Sequence, residues 1–163
     1  MTRMRPFPFL SKLVLLLALL APPAEAAVLV NSNASWTYFK GTTEASTVPD
    51  THAWRSNSFN DAAWLVGNAP FWYDTTGDTS TLPGGTQLTD MINGYSCFFM
   101  RKTFSLANVA EISALRLGAL CDDGFIVWIN GVEIYRYNMP GGEPIVGTLA
   151  SGAPNAAKMT KPM

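Results

Sequence analysis

The most constraining feature of this sequence is a pair of short β-type runs joined by the dipeptide Asn130-Gly131. The first run, Phe125–Ile129, carries large apolar residues at every position, and the second, Val132–Tyr137, is rich in β-branched and aromatic residues. Because both central residues of a type I′ turn need a positive φ, which Asn and Gly tolerate best, the pattern predicts a β-hairpin. A strand that is apolar on both faces is typical of a central strand, so we expect residues 125–129 to be covered on both sides.

Turn residues interrupt the rest of the chain before any helix-period pattern develops, which favours strands over helices. The other predicted strands are residues 28–30, 36–40, 95–104 and 114–120. We interpret the stretch between the second and third of these as loop-rich. It contains one helical turn at 60–64 and an exposed polar loop at 74–94. The predicted fold class is all-β, a β-sandwich.

Composition limits the chemistry. The 163 residues are 48% hydrophobic and 14% charged with a net charge of −1, which fits one globular domain with no basic field for nucleic acid. His52 is the only histidine, and Cys97 and Cys121 are the only cysteines. These counts exclude a His-rich metal centre, a zinc finger and a CxxC redox site. A lone loop histidine is more often solvated than catalytic.

Residues 1–26 have the layout of a secretory signal peptide. Three basic residues precede an apolar run at 13–20, and Ala24-Glu25-Ala26 provides a small-x-small cleavage site. A membrane anchor is the rival interpretation, but nine apolar residues span only about 14 Å as a helix, against about 30 Å of hydrocarbon. We therefore expect cleavage after Ala26 and a secreted or periplasmic product without a transmembrane anchor.

Export would permit a disulfide between Cys97 and Cys121, because the destination can be oxidising. A disulfide also requires the two Cα atoms to lie within bonding range, which depends on the fold. The alternative is that both cysteines are small, buried apolar side chains.

A series of short motifs along residues 36–157 resembles the galactose-binding-like, jelly-roll β-sandwich modules of large secreted bacterial proteins, which are similar to the sugar-binding domains of β-galactosidases. The motif residues are Trp36, Tyr38, Lys40-Gly41, Trp54-Arg55, Phe59-Asn60-Asp61-Ala62-Ala63-Trp64, Gly67, Ala69-Pro70, Phe99, Arg101-Lys102, Phe104, Asp122-Asp123-Gly124, Asn130-Gly131, Glu133, Arg136 and Asn138-Met139-Pro140. The resemblance implies a sandwich domain at 27–157.

The same resemblance implies one or two closing strands after Leu149-Ala150. The basic segment 158–163 has no strand pattern, so we expect an unstructured tail there and a sandwich truncated at its C-terminus. Such a sandwich would leave open strand edges. A downstream domain or a partner strand would then cover them.

Two groups of residues are candidates for ligand binding. Asp122 and Asp123 offer hard oxygen ligands for Ca²⁺ or acceptors for sugar hydroxyls, although turn chemistry is the more common use of Asp-Asp-Gly. Arg101 lies in an apolar strand and is expected to pair with a carboxylate, such as Asp122 or Asp123. Glu133 and Arg136 are expected to form an ion pair that contributes little to stability. Arg136 is also a candidate for holding sugar hydroxyls.

The second group is aromatic. Trp72, Tyr73 and Trp54 offer flat faces on which sugar rings stack, whereas Trp64 is expected in the core. The sequence thus predicts a secreted, non-catalytic module that binds carbohydrate or a cell surface and forms the N-terminal part of a larger exported protein. The alternative is a purely structural accessory domain of a secreted metallophosphoesterase or glycosidase, with the catalytic part outside this chain.

Overall fold

The computed structural model describes residues 27–73, 84–152 and 157–162, and its main secondary structure is short strands. The strands are β1 (Ser35–Lys40), β2 (Leu65–Asn68), β3 (Phe71–Trp72), β4 (Thr86–Gln87), β5 (Phe98–Arg101), β6 (Arg116–Cys121), β7 (Phe125–Ile129), β8 (Val132–Tyr137) and β9 (Ala157–Pro162). Several of them, such as β1 and the strands of the hairpin, are runs of β-branched and aromatic residues between turn residues. The helical elements in these ranges are two 3-10 turns, Ala53–Arg55 and Val109–Glu111. The strand-rich prediction is confirmed. The expected signal peptide at 1–26 lies outside the described residues.

Strand β1 is the centre of a three-stranded antiparallel sheet, between β2 and β5. Thr37 is opposite Val66 on one side and Arg101 on the other. Gly41 ends β1, as predicted, and its N–H donates to the Cys97 carbonyl at 2.9 Å. Strand β5 covers only the middle of the predicted segment 95–104.

Aromatic side chains form the core on this sheet. Tyr38 is buried, and its ring lies 5.0 Å from that of Phe71. The buried ring of Trp54, on the first 3-10 turn, contacts Trp64, Phe99 and Trp128 at centroid distances of 5.1 to 6.4 Å. Aromatic pairs at such distances are favourable beyond their buried area. They hold the loop-rich segment 42–64 against the sheet.

The predicted hairpin is confirmed. Strands β7 and β8 pair antiparallel, with a bulge at Val127/Trp128. Asn130 and Gly131 have φ of 50° and 84°, as a type I′ turn needs. The expectation that β7 is central and fully covered is wrong within the described residues, where β7 pairs with β8 alone and its side chains are half-buried. The ring of Trp128 is covered by the Trp54 and Arg55 side chains rather than by a neighbouring strand.

The prediction of an unstructured tail at 158–163 is wrong for residues 158–162. They belong to β9, which pairs antiparallel with β6 from Cys121↔Ala157 to Arg116↔Pro162. Ladder hydrogen bonds join backbone groups, so a segment without an apolar strand pattern can still pair with an open edge.

Three local predictions also need correction. Residues 28–30 form no strand, and Val28 is exposed. Residues 60–64 form a turn rather than a helical turn, in which Asn60 Oδ1 accepts from the Ala62 N–H at 3.1 Å. The prediction of an exposed loop at 74–94 is wrong for residues 86–88. Residues 86–87 form β4, which pairs in parallel with β3, and the next residue, Leu88, is only 2% exposed. Residues 74–83 of the same predicted loop lie outside the described part of the chain.

Candidate functional site

The predicted aromatic ligands do not lie together on an open surface. Trp54 is only 7% exposed and packs within the aromatic core, so its ring offers little surface on which a sugar could stack. Trp72 is half-buried, and its indole Nε1 is buried without a hydrogen-bond partner among the described residues. Tyr73 is 45% exposed. Tyr73 is therefore the most exposed of these three side chains.

Asp122 and Asp123 form the turn between β6 and β7. Asp122 Oδ1 accepts the Asp123 N–H at 3.1 Å, and Asp123 has a φ of 72°. The Asn138 amide closes the turn by donating to the Asp123 carbonyl at 2.8 Å. Across the described residues, no three His, Cys, Asp or Glu side chains converge as a metal site would need. The calcium site remains a prediction from the sequence pattern.

Arg101 pairs with Asp61 rather than with Asp122 or Asp123. Its Nε lies 3.0 Å from Asp61 Oδ2, and its Nη1 donates to the carbonyls of Trp54 and Ser56. The Thr37 hydroxyl donates to the same carboxylate oxygen at 2.7 Å. These hydrogen bonds, from Thr37 first and then from Arg101, hold the pKa of Asp61 below its usual range. The group fastens the 42–64 segment to β1 and β5.

A second set of ion pairs, which we call the ionic cluster, contains His52, Arg55, Glu133, Arg136 and Glu143. The predicted pair of Glu133 and Arg136 is confirmed at 2.7 Å, and Arg136 also donates to the Pro140 and Gly142 carbonyls. Glu143 accepts from Arg55 and lies 3.2 Å from His52 Nε2. His52 is exposed, in agreement with the solvated loop histidine that the sequence suggested.

The chemistry of the ionic cluster favours anchoring. Hydrogen bonds from Arg136 lower the pKa of Glu133, and hydrogen bonds from Arg55 lower the pKa of Glu143. A general acid needs a raised pKa at neutral pH, so these carboxylates lack the shift that proton donation requires. The Arg55 guanidinium stacks 4.3 Å from the centroid of the Trp128 ring, and Arg136 is occupied by its own hairpin.

An open cleft of about 220 Å³ lies where β1 extends beyond β2. The pairing of these strands ends at Tyr38 and Leu65, which leaves Phe39 and Lys40 beside the turn that carries Trp64. The cleft is lined by Tyr38, Phe39, Lys40, Thr42, Ala63, Trp64 and Leu65. Its walls are therefore mainly aromatic and aliphatic, and the polar side-chain groups of the lining residues include the Lys40 amine and the hydroxyls of Thr42 and Tyr38.

Lys40 is the charged residue of the cleft lining, and it forms an ion pair with Asp90, which also accepts a hydrogen bond from Tyr95. Lys40 Nζ lies 2.7 Å from Asp90 Oδ2, and the Tyr95 hydroxyl donates to Asp90 Oδ1 at 3.0 Å. The hydrogen bond from Lys40 lowers the pKa of Asp90, while burial and the Asp90 contact raise the pKa of Tyr95. At neutral pH Asp90 is therefore an ionised carboxylate and Tyr95 a neutral phenol, and both lie beside the cleft.

Sequence reasoning missed this cleft. Lys40 and Asp90 are fifty residues apart, and neither lies in a motif that predicts a pair. Trp64 was assigned to the core, and its ring does contact Phe39, Trp54 and Phe59. It nevertheless also lines the cleft. The sequence feature that contributes most to the cleft is the run Ala63-Trp64-Leu65, which supplies three of its lining residues.

Both cysteines are free thiols in the structure, so the disulfide that the sequence left open is not formed. Burial raises the pKa of Cys97, and burial together with Asp122 and Asp123 raises the pKa of Cys121 to about 11. Both groups are therefore protonated at neutral pH, which makes them weak nucleophiles.

Among the described residues, no helix is long and apolar enough to cross a membrane. Comparison of the chain with models of known protein families, with curated proteins and with solved structures finds no match. The resemblance to galactose-binding-like modules therefore stays a prediction from sequence motifs. The geometry of the cleft and its neighbours is the basis for a functional proposal.

Proposed function

We propose that this chain is a secreted, non-catalytic jelly-roll module of the galactose-binding-like type that binds carbohydrate in the cleft beside β1. The observation that supports this proposal most directly is the set of residues that line the cleft. Aromatic and aliphatic walls formed by Trp64, Phe39 and Leu65 stand next to the Lys40 ammonium and the Thr42 hydroxyl. Ligand sites combine such apolar walls with a few polar groups, and a sugar ring has one apolar face and a rim of hydroxyls.

The size and openness of the cleft suit one residue of a longer glycan. A volume of about 220 Å³ is below the range of about 300 to 1,000 Å³ typical of sites that enclose a whole small molecule. An open site of this size can hold one ring while the rest of a polysaccharide remains in solvent. A shallow contact of this kind supports weak binding, which multivalent display on a surface would strengthen.

The proposal that the module is non-catalytic is supported by the lowered pKa values of four carboxylates. Glu133, Glu143, Asp61 and Asp90 all have lowered pKa values because each accepts hydrogen bonds from a cation or a hydroxyl. A glycosidase acid carries a raised pKa. Export is supported by the signal-peptide pattern at 1–26.

Affinity electrophoresis tests the proposal. Purified protein lacking residues 1–26 is run in native gels that contain a panel of polysaccharides, and we expect at least one to retard it. Thr42→Val removes the cleft hydroxyl with little change of shape, so it should weaken retardation several-fold. Thr43→Val is the matched control, because Thr43 is also exposed but does not line the cleft. Unchanged mobility of the wild type across the panel would overturn the proposal.

A structural accessory domain is the second candidate function. Val66 on β2 is 69% exposed and Leu120 on β6 is 76% exposed, which places apolar side chains on the outside of two separate sheets. Exposed apolar surface is a common feature of sites that pack against another domain. Under this alternative, no glycan retards the protein, and Val66→Ser and Leu120→Ser increase its solubility.

A further inference from the structure

The cleft contains one charged lining residue whose charge is already balanced. Lys40 lines the cleft, and Asp90 lies beside it with its Oδ2 2.7 Å from Lys40 Nζ; the two side chains are 32% and 55% exposed, so both are accessible to solvent. At distances longer than this separation their opposite charges largely cancel. The cleft thus has no net positive charge with which to attract an acidic ligand.

An uncharged sugar matches this pair of groups. Lys40 has three N–H donors, of which Asp90 occupies one, and the Asp90 carboxylate has lone pairs beyond those used by Lys40 and Tyr95. Adjacent sugar hydroxyls both donate and accept, so one can accept from the ammonium while the next donates to the carboxylate. A uronate could use the ammonium only by placing its own carboxylate beside Asp90, and like charges repel at that distance.

We infer that the cleft selects uncharged sugar residues over acidic ones, with Asp90 as the specificity-determining residue that neutralises Lys40. This inference rests on the proposed function and names its ligand class. Asp90 acts by repelling the wrong ligand as well as by accepting hydroxyls, which is a common way to obtain specificity.

Binding to matched pairs of polysaccharides tests the inference. The panel pairs a glucan with a glucuronan of the same linkage and a mannan with a polymannuronate of the same linkage, so that each pair differs mainly in the acid group. Wild-type protein is expected to bind the uncharged member of at least one pair at least about fivefold more tightly than its acidic member. Asp90→Asn should weaken binding of the uncharged polysaccharide and strengthen binding of the acidic one. Added salt should remove the gain in binding of the acidic polysaccharide.

Asp50→Asn is the control for net charge. It also removes one negative charge, Asp50 is exposed and lies outside the cleft lining, and the Asn side-chain oxygen can still accept from the His52 N–H. We expect its preference to equal that of the wild type. Lys40→Met is a second variant, which should weaken uncharged ligands without any gain for acidic ones. It keeps the inference testable if Asp90→Asn fails to fold.

The outcomes separate the two proposals. If the wild type binds acidic members as tightly as uncharged ones, or if folded Asp90→Asn gains no acidic binding, the inference about specificity is wrong and the proposed function stands. If Asp90→Asn does not fold, the inference about specificity is wrong when Lys40→Met gains binding to an acidic polysaccharide, and the proposed function again stands. If the wild type binds neither member of any pair, both proposals are overturned.

Discussion

The Arg101 guanidinium on β5 and the Asp61 carboxylate in the turn before β2 are 3.0 Å apart, and this pair joins the loop-rich segment to the central sheet. Arg101 is 12% exposed and Asp61 is 30% exposed, so the pair is only partly screened by solvent. Arg101 also donates to the Trp54 and Ser56 carbonyls. It therefore positions the backbone next to the Trp54 ring at the centre of the aromatic core.

Replacing Asp61 with Asn should destabilise the fold. The substitution leaves the guanidinium with neutral acceptors only, and we expect a loss of about 1 to 2 kcal/mol in the free energy of unfolding. Asp122→Asn is the matched control, since Asp122 was the partner suggested by the sequence and instead accepts only within its own turn. It should change stability by less than about 0.5 kcal/mol. Urea denaturation measures both values, and equal effects would contradict the assignment.

The stabilisation from Asp61 should depend on pH in the acidic range. Its pKa in the folded protein is lowered from the usual 3.8, by the Thr37 hydroxyl first and by Arg101 next. The contribution is therefore fully present above the unfolded-state pKa and is lost as the pH falls through the lower folded-state pKa. The difference in urea midpoint between wild type and Asp61→Asn should shrink as the pH is lowered from 7 to about 3. A difference that grows on acidification would show that the pKa is raised instead.

The end of β1 should tolerate no side chain at Gly41. A Cβ there would press on Cys97 Sγ and on the Cys97 carbonyl group, whose carbon would be only 2.9 Å away. The hydrogen bond from the Gly41 N–H to the same carbonyl holds the two segments together, so they cannot easily move apart. Gly41→Ala should cost about 2 kcal/mol or more. Gly141→Ala is the control, because a Cβ at Gly141 would meet nothing within 4 Å. Thermal unfolding of the two variants should differ by several degrees. Equal melting temperatures would contradict the close approach of β1 to Cys97.

The two cysteines should behave as unreactive free thiols. Burial raises both pKa values, that of Cys121 to about 11, so iodoacetamide should label the native protein slowly at neutral pH. Unfolding without a reductant should then make both residues reactive, which mass spectrometry of peptides detects. Protection of both cysteines in the unfolded, unreduced protein would show a disulfide between Cys97 and Cys121.

The hairpin was predictable because its signal is local. Asn130-Gly131 meets the backbone requirement of the turn directly, and the flanking runs carry their own strand preference. Strand β9 was not predictable in this way, because its pairing with β6 depends on backbone groups from a distant part of the chain. Side-chain patterns in residues 158–162 carry no information about that partner.

The site was harder to predict than the fold for a related reason. The expected pairing of Arg101 with a carboxylate is confirmed, but the partner is Asp61 rather than Asp122 or Asp123, the examples that the sequence suggested. The cleft depends on a mismatch in length between β1 and β2 and on the contact of Lys40 with Asp90. Each of these is set by strand register, which long-range packing determines.

Titration of a glycan into isotopically labelled protein tests the central claim most directly. Nuclear magnetic resonance reports the indole N–H signals of Trp64 and Trp72 separately, once each has been assigned through a Trp→Phe variant. The titrant is an oligosaccharide of the uncharged polysaccharide that retards the protein in affinity electrophoresis. The signals of the Trp64 indole and of the Thr42 and Ala63 amides should shift, while the signal of the Trp72 indole should not. Shifts centred on Trp72 and Tyr73, or no shifts at saturating glycan, would contradict binding in the cleft beside β1.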